Sequence, residues 1–92
     1  MKPSEFDFYG QQIPEQYCGM LERYIDHHIL PGSFLEAVLS NDLKEACSRA
    51  DSTNIRLLPV YVAYLWNYAP ARCWGSPEKV EEWLSRKEET DA

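Results

Sequence analysis

The chain has 92 residues, 45% of them hydrophobic and 13% aromatic, and a net charge of −6 at neutral pH. That length suits one domain with a thin core, since a chain of this size buries only about 60 to 65% of the surface its unfolded form exposes, and the apolar content argues against disorder outside the ends. The acidic balance disfavours direct binding to nucleic acid or anionic lipid, and no charge-free apolar run reaches the ~20 residues of a membrane span.

The first residues lack a basic stretch followed by an apolar one, so the expectation is a soluble, cytoplasmic protein. Cys18, Cys47 and Cys73 are odd in number and lack framework spacing, which suits reduced thiols in a reducing compartment.

Residues 1–12, MKPSEFDFYGQQ, hold neither helical nor strand periodicity and read as a flexible or loosely docked arm carrying Phe6, Phe8 and Tyr9. From Ile13 the pattern changes. Ile13, Tyr17, Leu21, Tyr24 and His28 recur at intervals of three and four, with Met20 and Ile25 widening the stripe and Glu15, Glu22, Arg23 and Asp26 opposite, which predicts an amphipathic helix. Pro14 suits its first turn, and Pro31 with Gly32 stops it.

Ser33 followed three residues later by Glu36 matches a capping box for a short helix that buries Phe34, Leu35, Val38 and Leu39. Ser40, Asn41 and Asp42 favour caps over helix interiors, so a break is expected there. Asn41 would cap a second helix presenting Leu43, Ala46, Cys47 and Ala50, although the helical phase of Leu35, Leu39, Leu43, Ala46 and Ala50 also allows one bent helix. Residues 51–54 form another polar cluster with cap chemistry. Beyond it, residues 54–68 are apolar on all sides and longer than a usual strand, so they are read as a central helix that Pro59 bends or begins. Residues 67–74 form a loop. Ser76 then caps a last helix with Pro77 in its first turn and with Val80, Trp83, Leu84 and Lys87 on one face, supported by the Glu82–Arg86 pair. The whole is an all-α, single-domain bundle of about four to five short helices: an arm at 1–12, a helical domain at 13–87 and a charged tail at 88–92.

Few residues point to chemistry. Cys18, His27, His28, Cys47 and Cys73 show no metal-ligand spacing, so neither a metal nor another cofactor is expected. Cys18 and Cys47 fall among apolar neighbours, as inert thiols do. Cys73, beside Arg72, is the one with a neighbouring cation, but nothing locates a base for it. The carboxylates lie on helix surfaces, and the four glycines are scattered rather than gathered into a phosphate loop, so catalysis is not expected.

Surfaces remain. Glu22 and Asp26, one turn apart, and Asn41 and Asp42, at the break, are polar candidates for a partner; Phe6, Phe8, Tyr9 and Trp74 are aromatic ones, with Trp74 alternatively plugging the end of the last helix. Surplus aromatic residues over a thin core also favour a homo-oligomer.

From Ile13 to Trp83 the chain resembles a family of small phage and prophage proteins, on IPEQY, LERYIDH, LPGSFLEAVLSNDLKEA, RAD with Asn54 after it, YLWNYAP and CWGSPEKVEEW. Where members of that family often end the first helix in glycine, this chain has His28. No established activity comes with the resemblance, so no catalytic residue is carried over. It implies a phage-encoded accessory protein acting in the bacterial cytoplasm. The expected function is binding to a bacterial host protein, for example a nucleic-acid enzyme or a defence component, through a basic surface on that partner. The alternative is an oligomer that sequesters a small ligand such as a nucleotide, with Arg49, Arg56 and Arg72 offsetting the acidic field.

Overall fold

The described residues form five α-helices and a two-stranded hairpin: β1 (Asp7–Phe8), β2 (Gln11–Gln12), α1 (Glu15–His27), α2 (Ser33–Leu39), α3 (Leu43–Arg49), α4 (Asn54–Tyr68) and α5 (Pro77–Asp91), with 3-10 turns at Pro3–Glu5 and Ala71–Cys73. The computed structural model describes residues 1–91, and the side chains of residues 1–86. Lys87, expected on the face of the last helix, lies outside the described side chains, and α5 runs through most of the stretch read as a tail.

The first helix forms as its periodicity dictates. Pro14 stands just before it, and its carbonyl accepts from the N–H groups of Tyr17 and Cys18, both at 3.0 Å. Ile13, Cys18, Leu21 and Tyr24 are buried along one face. The helix ends at His28 in the left-handed region, with φ 57° and ψ 39°. Glycine takes that conformation without steric cost, whereas histidine needs compensation. The ring supplies it: Nδ1 donates to the Trp83 carbonyl at 2.9 Å, and the ring centroid lies 4.5 Å from the indole.

The segment 33–50 is two helices, not one. Asn41 carries φ 60°, its N–H donates to the Val38 carbonyl, and that of Asp42 donates to Ala37, both at 3.0 Å. This paired closure, with a left-handed residue just past the end, is a Schellman motif, and asparagine is among the few non-glycine residues that tolerate it. Asn41 therefore ends α2 rather than capping α3. Asp42 is the cap, accepting the Glu45 N–H at 3.2 Å. The capping box expected at Ser33 does not form. Gly32 occupies the cap position, and Glu36 faces Arg49 instead, at 3.8 Å, while Arg49 Nη1 also donates to the Ser33 carbonyl at 3.0 Å. Arg49 thus ties α3 to the start of α2, but as a donor it does not replace the serine oxygen expected to accept from that helix's first N–H groups.

The central helix starts where Asp51 accepts from the N–H groups of Thr53 (3.1 Å) and Asn54 (2.7 Å), and it continues through Pro59. Leu57, Val60, Tyr61, Tyr64 and Leu65 face the core. Buried Asn54 accepts the Tyr61 hydroxyl at 2.7 Å, so its burial leaves that oxygen satisfied. The last helix has the expected cap, Ser76 Oγ accepting the Lys79 N–H at 3.2 Å, and the expected Glu82–Arg86 pair at 3.4 Å.

Two links join distant parts. Tyr24 donates its hydroxyl to the Cys73 carbonyl at 2.7 Å, and Trp83 Nε1 donates to the Tyr24 carbonyl at 2.8 Å, tying α1 to the 71–73 turn and to α5. The radius of gyration, 12.5 Å, is near the ~12 Å expected of a folded chain of this length. Among the described residues no helix is long and apolar enough to cross a membrane.

Candidate partner-binding surfaces

The N-terminal arm docks as a hairpin. Asp7 pairs with Gln12 and Phe8 with Gln11, and the connecting residues Tyr9 and Gly10 both have positive φ, 54° and 83°. That is the signature of a two-residue type I′ turn, whose twist matches the flanking strands. Asp7 Oδ1 accepts the Gly10 N–H at 2.8 Å and tightens it. Phe6, expected as an exposed anchor, is buried instead: its ring meets Tyr64 and Tyr68 edge-on at 5.6 and 5.7 Å. Tyr64 adds a hydrogen bond to the Met1 carbonyl at 2.6 Å. Phe8 is half-buried. Tyr9 stands at the tip, 92% exposed, in a backbone region that a tyrosine rarely takes.

Glu22 and Asp26 line a cleft of about 410 Å³ between α1, the arm and the end of α4, together with Glu5, Lys2 and Tyr68. Their field is felt nearby. The Tyr64 hydroxyl is pushed up to about 12, first by burial and then by Asp26, Glu22, Cys18 and Glu5.

Asp42 belongs to a second acidic groove, of about 370 Å³, between the α2–α3 corner and α5. Glu36, Asp42, Glu45 and Glu81 rim it, Arg49 is its one cation, and Ala37, Val80 and Leu84 supply apolar floor. Arg49 is already engaged by Glu45 at 3.3 Å and Glu36 at 3.8 Å, so the groove keeps a net negative balance. In the sequence, the spacing from Ser33 assigns Glu36 to a cap, and no motif singles out Glu45 or Glu81 as a contact. The signal available for them was their helical phase with Asp42 and the α5 face, which becomes a site only once those helices are placed together.

Asn41 and Trp74 come together in a third cleft, of about 450 Å³, with Val62, Trp66, Ala69 and Lys79. Trp74 is half-buried, packing one side on the core and leaving the other on the cleft. The surprise is α4. Expected to be buried all round, it exposes Ile55 (43%), Val62 (46%) and Trp66 (77%), and Leu43 on α3 is 71% exposed rather than packed inward. The four other helices do not surround it, so one side stays open.

The thiols also depart from expectation. Cys73 is fully buried and burial pushes it up to about 11, which makes it inert despite Arg72 next door in sequence. Cys18, raised by burial and then by Glu22 and Glu15, donates to the Ile13 carbonyl at 3.3 Å. Cys47, expected to be buried, is exposed. Among the described residues no group of three or more His, Cys, Asp or Glu is gathered as a metal would need. The chain matches no family model, no curated protein and no solved structure.

Proposed function

We propose that the protein acts by binding a basic surface of another protein and altering that partner's activity, without chemistry of its own. The observation that carries this is the groove between the α2–α3 corner and α5, where four carboxylates rim an apolar floor and face a single, already paired arginine. Such a groove favours a lysine- or arginine-bearing segment whose aliphatic stems cover the floor while the charged ends meet the rim. The cleft at Glu5, Glu22 and Asp26 repeats the sign of charge, and Tyr9 on its docked hairpin supplies a rigid aromatic contact. The resemblance to phage proteins makes the partner a bacterial host protein, with a nucleic-acid enzyme or a defence component fitting because their basic grooves accept an acidic occupant.

Capture from bacterial lysate tests this with two baits, the natural chain and a Glu45→Lys/Glu81→Lys variant. The expected result is a basic protein retained by the first, released by salt, and lost from the second. Retention of the same proteins by both baits would contradict the reading.

A further inference from the structure

We infer that the open face of α4 is a self-association surface on which a second copy of this chain docks antiparallel, about a two-fold axis between Pro59 and Val62. Among the exposed residues of α4, which also include Arg56, Asn67 and Tyr68, the residues Ile55, Pro59, Val62 and Trp66 are spaced four, three and four apart, so they form one stripe along the helix. The spacing is palindromic. Turned end for end, the stripe sets Ile55 of one copy against Trp66 of the other, and Pro59 against Val62, so both ends are matched by one two-fold operation. The bulky indole then lies where the opposing side chain is aliphatic, and smaller residues occupy the crossing, which allows close approach of the helices.

Charge selects the same face. The chain carries 15 acidic residues, yet none falls between Asn54 and Ala71. Two copies of net charge −6 repel one another wherever carboxylates face carboxylates, and this stripe is where they can meet without that cost. A basic heterologous partner would gain nothing electrostatically here, which favours a second copy as the occupant.

Area sets the strength. The exposed parts of Ile55, Val62, Trp66 and Leu43 offer on the order of 500 Å² of apolar surface per copy, below the ~800 Å² per partner of a standard interface. The expected dimer is therefore a weak one, populated as concentration rises.

Sedimentation equilibrium from a few to several hundred micromolar tests it, with circular dichroism confirming that each variant stays folded. The natural chain is expected to move from the 10.7 kDa mass of one chain toward twice that. Ile55→Lys and Trp66→Glu alone should each weaken association more than tenfold. The double variant, which sets a lysine against a glutamate at both ends of the antiparallel pair, should recover a dimer. A natural chain that stays monomeric across the range, whether or not another protein covers the face, would overturn the inference. So would a dimer that survives Trp66→Glu, or a double variant no better than the single ones.

Discussion

The indole N–H of Trp83 donates to the main-chain carbonyl of Tyr24 at 2.8 Å, joining residues 59 positions apart in the chain. Tyr24 reaches on through its own hydroxyl to Cys73, so one residue of α1 holds both the last turn and the last helix. Removing either donor has a distinct cost. Tyr24→Phe leaves the buried Cys73 carbonyl without that partner and should destabilise by about 1–3 kcal/mol. Trp83→Phe should cost less at the hydrogen bond, about 1 kcal/mol, because the Tyr24 carbonyl also accepts the His28 N–H at 3.1 Å. Urea unfolding of the two variants gives the order directly.

Tyr9 trades stability for exposure. Its left-handed φ suits asparagine or glycine far better than an aromatic residue. Tyr9→Asn should therefore raise stability by about 0.5 kcal/mol while weakening partner capture. Thermal melts and capture from lysate, run on the same preparation, check the opposed signs.

His28 makes a similar test of strain against contact. His28→Ala keeps the unfavourable φ and loses the hydrogen bond and ring contact with Trp83, for a loss of about 2 kcal/mol. His28→Gly loses the same contacts but removes the strain, so it should be about 1 kcal/mol more stable than the alanine variant. Equal stability of the two would show that the backbone there is not under strain.

The thiols should separate by accessibility and by pH. Of the three, Cys47 alone should react with a water-soluble thiol reagent in the folded protein, and all three after unfolding. Cys73 is neutral when protonated, and its value rises from the ordinary 9.0 to about 11 on folding, so the folded chain keeps a proton that the unfolded chain has lost between those values. Its contribution is complete below pH 9 and disappears as pH climbs toward 11. The Tyr64 hydroxyl, raised from 10.0 to about 12, acts in the same direction. Stability from urea titrations should fall over this alkaline range, and less steeply in Cys73→Ala.

Much of the fold was legible because local rules and tertiary packing agree. The stripe from Ile13 to Tyr24 and the Ser76–Pro77 start are such cases, and their helices form where periodicity and cap chemistry place them. The break at Ser40–Asp42 was visible as chemistry but not as geometry. Whether Asn41 ends one helix or begins the next depends on a left-handed φ that its identity permits without requiring. Glu36 shows the other limit: Ser33 and Glu36 have capping-box spacing, yet Arg49, 13 residues beyond Glu36, competes for the carboxylate. The open side of α4 was hidden for a related reason. A run apolar in every direction shows what it would rather bury, not how many neighbours the rest of the chain can bring to it.

We propose that acidic grooves on a helical scaffold, rather than any catalytic residue, make the working contact. The decisive measurement is titration of the captured partner with the natural chain and with the Glu45→Lys/Glu81→Lys variant, each at several salt concentrations. The variant is expected to bind at least tenfold more weakly and with a flatter dependence on salt, with unchanged folding. Equal affinity and an equal salt slope for the two chains would contradict it.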